Sequence, residues 1–224
     1  MCGIIAVSSK VNSVCFIDDA LKSIRHRGPD DFGIFESKRS DCKLGQVRLS
    51  IMDLSSAGHQ PMYDRSKQFI ISFNGEIYNF KVLKDELDNK YDSIGWQSNT
   101  DTEVIIEGFA REGIDFLNKL NGIFSLAIYD TKSQKMFVLR DPIGIKPLYI
   151  INQNNLVIFS SEVKAFLKIP GLSLTLRKQS LADVLTFMYV PDPHTMYNEI
   201  TKVDPGVCYE YQLGNLINSH KLFS

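Results

Sequence analysis

Residues 69–73 read Phe69-Ile70-Ile71-Ser72-Phe73, a short run in which every residue except the serine is apolar. Successive side chains of a β-strand point to opposite faces of its sheet, so a strand of this composition is buried on both faces. A single sheet with one solvated face would leave half of these side chains in water. The run therefore predicts two sheets packed on each other, with helices covering them.

Similar runs rich in β-branched and aromatic residues recur along the chain between turn-forming residues. They predict strands at residues 3–7, 32–36, 43–49, 69–73, 124–129, 135–139, 148–152 and 157–160. Segments with a helical period predict helices at residues 16–24, 80–89, 101–111 and 181–187. Asn79 is the expected N-cap of the second helix, and Thr100 with Glu103 reads as a capping box for the third. Many strands and few helices indicate an α+β fold.

Composition excludes several functional classes. The chain has 224 residues, of which 44% are hydrophobic and 23% charged, as is typical of one globular domain with a substantial core. Its net charge of -1 gives no electrostatic basis for binding nucleic acid or an anionic membrane surface. The apolar run at residues 4–7 is too short for a signal peptide, and no stretch approaches the roughly 18 apolar residues of a membrane span. We therefore expect a cytoplasmic protein without a nucleic-acid or membrane partner.

The chain has four cysteines, and their spacing indicates neither a disulfide scaffold nor a metal or redox motif. We expect reduced thiols, no metal site and structural roles for Cys15, Cys42 and Cys208. Cys2 differs, because removal of Met1 would leave its thiol beside a free α-amine. An α-amine titrates near ~7.7 to 8.0 and a thiol near ~8.5, so this residue could act as a nucleophile that carries its own base. For an isolated cysteine, burial in a core strand is the more common role.

Five further motifs occur in a recognisable order. They are Arg25-His26-Arg27-Gly28-Pro29-Asp30, Arg48-Leu49-Ser50-Ile51-Met52-Asp53, Asn74-Gly75-Glu76-Ile77-Tyr78-Asn79, Ser98-Asn99-Thr100-Asp101-Thr102-Glu103 and Arg140-Asp141-Pro142-Ile143-Gly144-Ile145-Lys146-Pro147-Leu148-Tyr149. Together with Cys2 they resemble the glutaminase domain of asparagine synthetase, a class II glutamine amidotransferase of the N-terminal-nucleophile hydrolase group. The resemblance covers roughly residues 2 to 210. It implies a four-layer αββα sandwich of two antiparallel sheets.

The resemblance also implies a mechanism in which Cys2 attacks the side-chain amide of glutamine while its own α-amine transfers the proton. The side-chain amide of Asn74 and the backbone N–H of Gly75 would form the oxyanion hole. Taken alone, Asn74-Gly75 is more typical of a type I′ hairpin turn. We expect a turn that also exposes the N–H.

The substrate-binding residues follow from the same motifs. Arg48 matches the residue that binds the α-carboxylate of glutamine, and its planar guanidinium suits that group. Backbone groups of Leu49, Ser50, Ile51 and Met52 would line the same pocket, while Glu76 and the Asp101 carboxylate would engage the α-ammonium. Outside the motif, Arg48 would be a solvated charge at a strand end, and Asp101 an acid in the first turn of a helix. Arg25 and Arg27 are expected to organise the loop around the N-terminus.

Members of this family pass ammonia to a second domain that activates aspartate with ATP and magnesium through a Ser-Gly-Gly-x-Asp-Ser loop, and this sequence contains no such loop. We therefore predict an amidotransferase domain over residues 2–210, with residues 211–224 starting a connector to a synthetase domain. That domain would act in cis if the chain is a fragment, or in trans otherwise, and a homodimer is a further expected assembly. The chain itself needs no cofactor. Alternatives are an amidotransferase with another acceptor, as in surface-polysaccharide pathways, a non-catalytic relic of the fold, or an acylase of the same hydrolase group.

Overall fold

The computed structural model of the chain describes residues 1–10, 16–92, 94–153 and 155–223. Two antiparallel sheets of six strands each form its centre. The first sheet has the order β10-β8-β9-β1-β3-β2, with β1 Gly3–Ser9, β2 Asp31–Glu36, β3 Cys42–Arg48, β8 Tyr149–Gln153, β9 Leu156–Ser160 and β10 Ile200–Lys202. The second has the order β12-β11-β7-β6-β5-β4, with β4 Met62–Tyr63, β5 Phe69–Ile77, β6 Gly122–Asp130, β7 Lys135–Arg140, β11 Val207–Gln212 and β12 Asn215–Lys221.

Four helices cover the outer faces of the sheets: α1 Ile17–Ser23 on the first, and α2 Phe80–Lys90, α3 Asp101–Glu112 and α4 Ile114–Leu117 on the second. A fifth helix, α5 Lys178–Phe187, buries only Ser180 and is outside the hydrophobic core clusters. Alternation along β1 separates the layers: Ile5 and Val7 pack against α1, whereas Ile4 and Ala6 belong to the core between the sheets. On the second sheet, Ile71 packs in the core cluster shared with α2 and α3. The expected α+β sandwich with four αββα layers is confirmed.

Each strand and helix predicted from the sequence is present, with ends that differ by a few residues. The sequence did not indicate β4, β10, β11, β12 or α4. Residue 210, the expected end of the amidotransferase domain, lies inside β11. Residues 215–221 form the edge strand β12, hydrogen-bonded to β11, so the second sheet continues to Lys221.

The two expected helix caps behave differently. Thr100 Oγ1 accepts a hydrogen bond from Glu103 N at 3.3 Å, as a capping box requires. The Glu103 carboxylate, however, accepts from Gln97 N and Ser98 N instead of Thr100 N. Asn79 makes no side-chain cap, because its amide bridges the backbone of residues 119 and 121.

The described residues include no helix that is both long and apolar enough to cross a bilayer.

Candidate active site

A cavity of about 110 Å³ opens at the end of the sandwich where β1 begins. The predicted site residues that line it are Cys2, Arg48, Leu49, Ile51, Met52, Asn74, Gly75, Glu76 and Asp101. Ser50 is the exception: its backbone N–H donates to Asp30 Oδ2 at 2.8 Å, and the residue does not line the cavity. Cys2 and residues from three of the sequence motifs, up to 99 positions apart along the chain, therefore meet in one place.

Cys2 is placed by the alternation of β1. Residues 2, 4 and 6 share one face, and Ile4 and Ala6 on that face lie in the core between the sheets. The thiol lies against the strand that ends at Arg48, with Sγ 3.4 Å from Leu49 N and 3.7 Å from Leu49 O. The sulfur therefore points into the gap between the two sheets at its open end.

Arg27 holds the backbone of Cys2. Its Nε donates to Cys2 O at 2.9 Å, and its Nη1 forms an ion pair with Glu162 at 3.2 Å. Glu162 also accepts from His26 and Lys164. Burial opposes ionisation of Glu162, but the hydrogen bonds from Arg27, Lys164 and His26 hold the pKa of its carboxyl below the ordinary value. The expected role of the Arg25–Asp30 motif in organising the N-terminus is borne out at Arg27.

Asn74 lies on β5 and faces the same gap from the opposite sheet. The alternation of β5 places Ile70, Ser72 and Asn74 on one face, and Ile70 belongs to the core between the sheets. Asn74 is only 1% exposed, yet its Nδ2 has no hydrogen-bond partner among the described residues. A buried amide donor without a partner costs about 1 to 3 kcal/mol, so this group is available to a ligand in the cavity.

The direction of the Gly75 N–H follows from its neighbours. Gly75 is opposite Phe124 on β6, and both backbone groups of Phe124 bond to Asp141 on its other side. The pair Gly75–Phe124 is therefore a non-hydrogen-bonded pair, and the Gly75 N–H points away from β6. The N–H groups two residues before and after it point the same way, to Gln60 Oε1 from Phe73 and to Asp101 Oδ2 from Ile77. Between these two satisfied donors, the Gly75 N–H has no acceptor among the described residues.

The expected type I′ turn at Asn74-Gly75 is wrong. Both residues lie inside β5, which pairs with β6 from Phe69 to Ile77. A Cβ on residue 75 would overlap the Ile123 carbonyl oxygen and the Phe124 backbone, so the close approach of β6 requires glycine here. The exposed N–H of Gly75 therefore does not come from a turn. It results from the alternation of β5, which has no continuous partner strand on the side away from β6.

Arg48 stands at the end of β3 and is mostly buried. Its guanidinium donates to the carbonyl oxygens of Asp53 and Ser55, the latter at 3.4 Å. These two contacts hold residues 49–58 over the cavity. They do not use all the N–H donors of the Arg48 guanidinium. Asp53 in turn accepts from Asn99 N at 3.3 Å, which ties this loop to the start of α3.

Asp101 begins α3 and is buried. Burial raises the pKa of its carboxyl to about 6, against the lowering effect of the Ile77 and Thr102 N–H groups, and the negative charge of Glu76 adds to the increase. A carboxylate whose burial makes ionisation costly favours a cationic ligand beside it. Asp101 and Arg48 therefore provide opposite charges on the wall of one cavity.

The motif at residues 140–149 delivers Lys146 to the cavity. The Asp141 carboxylate accepts from the N–H groups of Ile145 and Lys146, at 3.0 and 2.9 Å. The Arg140 guanidinium donates to the carbonyl oxygens of Lys146 and Val203, at 2.8 and 3.0 Å. Two neighbouring residues of opposite charge thus bind the same loop from both sides, through its backbone alone.

Two buried glutamines were missed by the sequence analysis. Gln60 lines the cavity, accepting from Phe73 N and donating to Thr102 Oγ1 at 3.1 Å, so it connects β5 to α3. Gln46 Nε2 donates to Phe73 O at 2.8 Å. Neither residue belongs to a motif, and a single glutamine carries no periodic signal. The structure also adds Thr100, Thr102 and Lys146 to the cavity lining.

The fold and this site define a class of protein: amidotransferases built on the αββα sandwich. The structure of glutamine phosphoribosylpyrophosphate amidotransferase from Bacillus subtilis superimposes with a TM-score of 0.73 at 20% identity, covering 99% of this chain and 49% of that one. At this identity the likeness establishes the fold alone. The sequence profile of a family described as glutamine amidotransferase domain matches residues 1–221. The chain belongs to this family.

Curated relatives indicate which branch of this family the chain resembles. Asparagine synthetase [glutamine-hydrolyzing] 1 of Bacillus subtilis is 35% identical over 214 residues, which is 92% of this chain and 33% of the relative. Asparagine synthetase B [glutamine-hydrolyzing] of Escherichia coli K12 is 36% identical over 174 residues, 75% of this chain and 30% of the relative. The chain thus spans about a third of the length of the relatives it matches, and it resembles their glutamine amidotransferase domain.

Proposed function

We propose that Cys2 is the nucleophile of glutamine hydrolysis and that Asn74 and Gly75 form the oxyanion hole. The observation that carries this proposal is the pair of unused donors, Asn74 Nδ2 and Gly75 N–H, in the cavity that contains the Cys2 thiol. Each donor is fixed by a sheet before substrate arrives, so neither must reorganise as negative charge develops on the amide oxygen. One such donor contributes about 3 to 4 kcal/mol of transition-state stabilisation.

The reaction then proceeds in two steps. Once Met1 is removed, the free α-amine of Cys2 takes the thiol proton and the sulfur attacks the side-chain carbonyl carbon of glutamine. The C–N bond breaks, the nitrogen receives the proton, and ammonia leaves behind a γ-glutamyl thioester. Water, deprotonated by the same α-amine, attacks the thioester carbon, and the C–S bond breaks to release glutamate and restore the thiol. The Arg27 bond to Cys2 O holds this residue in place throughout.

Arg48 and Asp101 are the proposed clamp for the two ends of free glutamine. The Arg48 fork would bind the α-carboxylate, and Asp101 with the nearby Glu76 would bind the α-ammonium. Leu49, Ile51 and Met52 would close the pocket. The opposite charges of the two side chains favour an amino acid over the uncharged amide of an acylase substrate.

Intact mass and N-terminal sequencing provide the first test. We expect a chain that begins at Cys2 to hydrolyse glutamine, and a chain that retains Met1 to be inactive because its Cys2 nitrogen is an amide. Cys2→Ala should abolish turnover and retain glutamine binding, since the clamp lies elsewhere. A glutamine-like electrophile should label Cys2 alone, with Cys42 and Cys208 buried as internal controls. Full turnover by Cys2→Ala would contradict the assignment.

We further propose that the ammonia passes to a synthetase domain, in cis or in trans, that activates aspartate with ATP and magnesium. The likeness to asparagine synthetases supports this acceptor. The exposed apolar end of α5 supports a docking surface for that domain, because Leu185 is 84% and Met188 85% exposed. Cytoplasmic location and a homodimer stay predictions.

Supplying a synthetase domain in trans with aspartate, ATP and magnesium tests this coupling. We expect asparagine to form from glutamine only in the mixture, and Leu185→Ser with Met188→Ser to lower its yield without changing glutamine hydrolysis by this chain alone. Asparagine synthesis by the chain alone would contradict the proposal.

A further inference from the structure

A second and larger cavity, of about 690 Å³, lies at the other end of the sandwich. Three strand connections surround it: residues 37–41 from the first sheet, and residues 64–68 and 131–134 from the second. Ser9 N at the far end of β1 donates to Asp41 O at 2.8 Å, which fixes the cavity at the end of β1 opposite Cys2. Seven residues of strand rise about 20 Å, so this cavity is separate from the catalytic one.

The rim of the second cavity is cationic. Lys38, Arg39, Lys67 and Lys132 line it, and none of these side chains has a carboxylate within ion-pair distance among the residues that the structure describes. One of the two acidic lining residues, Glu36, is already paired with Lys43 at 3.0 Å. Four positive charges from three separate connections therefore face one opening, none of them in an ion pair with a described residue, and together they attract a polyanion.

The floor of the same cavity is acidic and aromatic. Asp41 is buried, and its carboxylate accepts from Ser37 Oγ and from Tyr129 OH, the latter at 3.1 Å. Phe35 packs between Tyr63 and Tyr129, with both ring centroids 5.9 Å from its own. Because the remaining lone pairs of Asp41 would repel an anion, the negative groups of a ligand must stay at the rim. The floor instead suits a flat ring that carries a hydrogen-bond donor.

We propose that this cavity binds a nucleoside polyphosphate whose base carries an amino group, with the phosphates at the cationic rim and the base among the aromatic side chains. The exocyclic amine would donate to Asp41. The distribution of charge carries this orientation: a carboxylate at the bottom and four cations at the opening match a ligand with a donor at one end and several negative charges at the other. The site is distinct from the proposed glutamine pocket and does not depend on it.

Calorimetric titration of the full chain provides the test, with ATP, ITP, pyrophosphate and adenosine as separate ligands. We expect ATP to bind most tightly, because only ATP combines the amino group with the phosphates. ITP has a carbonyl in place of that amine and should bind about tenfold more weakly, the effect of roughly 1.4 kcal/mol. Binding should weaken as salt is raised, because the rim charges are exposed to screening.

A double variant and its matched control locate the site. Lys38→Ala with Lys132→Ala removes two rim charges from two different connections and should weaken ATP binding at least tenfold. Lys81→Ala with Lys178→Ala removes two exposed lysines that do not line the cavity and should leave ATP binding unchanged. Thermal melting of both double variants verifies that they fold.

Three results would overturn the proposal. The first is no heat of binding with millimolar ATP at low salt. The second is equal loss of affinity in the two double variants, which would indicate non-specific attraction to surface charge. The third is pyrophosphate binding as tightly as ATP, or ITP as tightly as ATP, which would contradict the orientation of the base towards Asp41.

Discussion

The two walls of the proposed glutamine pocket are built in opposite ways. The inner wall, Asn74 and Gly75, lies inside a buried strand paired along its whole length with β6. The outer wall is the loop at residues 49–58, where Ile51 is 72% and Leu54 81% exposed. The inner wall offers donors that cannot move, whereas the loop is held mainly by Arg48 and Asp53. Stabilisation of the transition state is therefore expected from the sheet, and substrate retention from the loop.

Asn74→Ala tests the inner wall, and we expect the largest effect. Loss of the Nδ2 donor should lower kcat by about 10² to 10³, with little change in KM. Stability should hold, because this nitrogen has no hydrogen-bond partner among the described residues. Steady-state kinetics and thermal melting measure both quantities.

Ser72→Ala is the matched control for Asn74→Ala. Ser72 lies two residues earlier on the same face of β5 and does not line the cavity. Its Oγ is also buried, with no hydrogen-bond partner in the part of the chain that the structure describes. We expect unchanged kcat. An equal loss of activity in both variants would show that packing of β5, and not the Asn74 donor, determines the rate.

Arg48→Ala tests the outer wall. Losing the charged fork and the two carbonyl contacts should raise the KM for glutamine about 100-fold, since hydrogen bonds to charged groups contribute about 1.5 to 3 kcal/mol each. The loop should also become more sensitive to protease. Arg25→Ala is the control, because Arg25 does not line the cavity and its guanidinium donates to the Pro29 carbonyl oxygen outside it. A normal KM for Arg48→Ala would remove this residue from the clamp.

Asp101→Asn tests separately how the charge of Asp101 affects glutamine binding and the stability of the folded chain. The folded-state pKa of about 6 lies above the ordinary value of 3.8, so the folded chain binds this proton more tightly than the unfolded chain does. Stability is therefore lost as pH rises from below 4 to above 6, by at most about 3 kcal/mol. Asparagine removes this penalty and keeps an acceptor for Ile77 N.

We thus expect Asp101→Asn to melt at a higher temperature than wild type at pH 8 and at the same temperature near pH 4. Its KM for glutamine should rise about tenfold, because one charged contact to the α-ammonium is lost. In the wild type, KM should rise as pH falls below about 6. Melting curves that differ equally at both pH values would refute the role of Asp101 ionisation.

Leu54→Ser should have the smallest effect. Leu54 belongs to the loop but does not line the cavity, and exposed substitutions of this kind change stability by less than about 0.5 kcal/mol. Unchanged kcat and KM would show that the loop acts through its anchored backbone. A tenfold change in KM would mean that its exposed side chains also determine binding.

Most of the fold was predictable because its central strands are apolar on both faces. The missed strands lack that signal: β12 is an edge strand whose side chains are mostly exposed, and β10 has three residues. The motifs indicated many of the residues that line the cavity, among them Arg48 and Asp101, whose roles stay predictions. At Asn74-Gly75, the local sequence led to a wrong prediction. The dipeptide is typical of a turn, but the residues before and after it pair with β6 and keep it within β5. The role of Gln60 depends on the positions of β5 and α3 relative to each other, which the sequence did not indicate.

In the loop that follows Arg140 and Asp141, the groups that fix the shape of the loop differ from the side chains that form its outer surface. Its shape depends on bonds to backbone N–H and C=O groups, which any residue other than proline supplies in full. Ile143 and Ile145 at its surface are exposed and make none of these bonds through their side chains. Substitutions at Ile143 and Ile145 can therefore change the surface that the loop offers to another molecule. Lys146 would keep its position beside the cavity that contains Cys2.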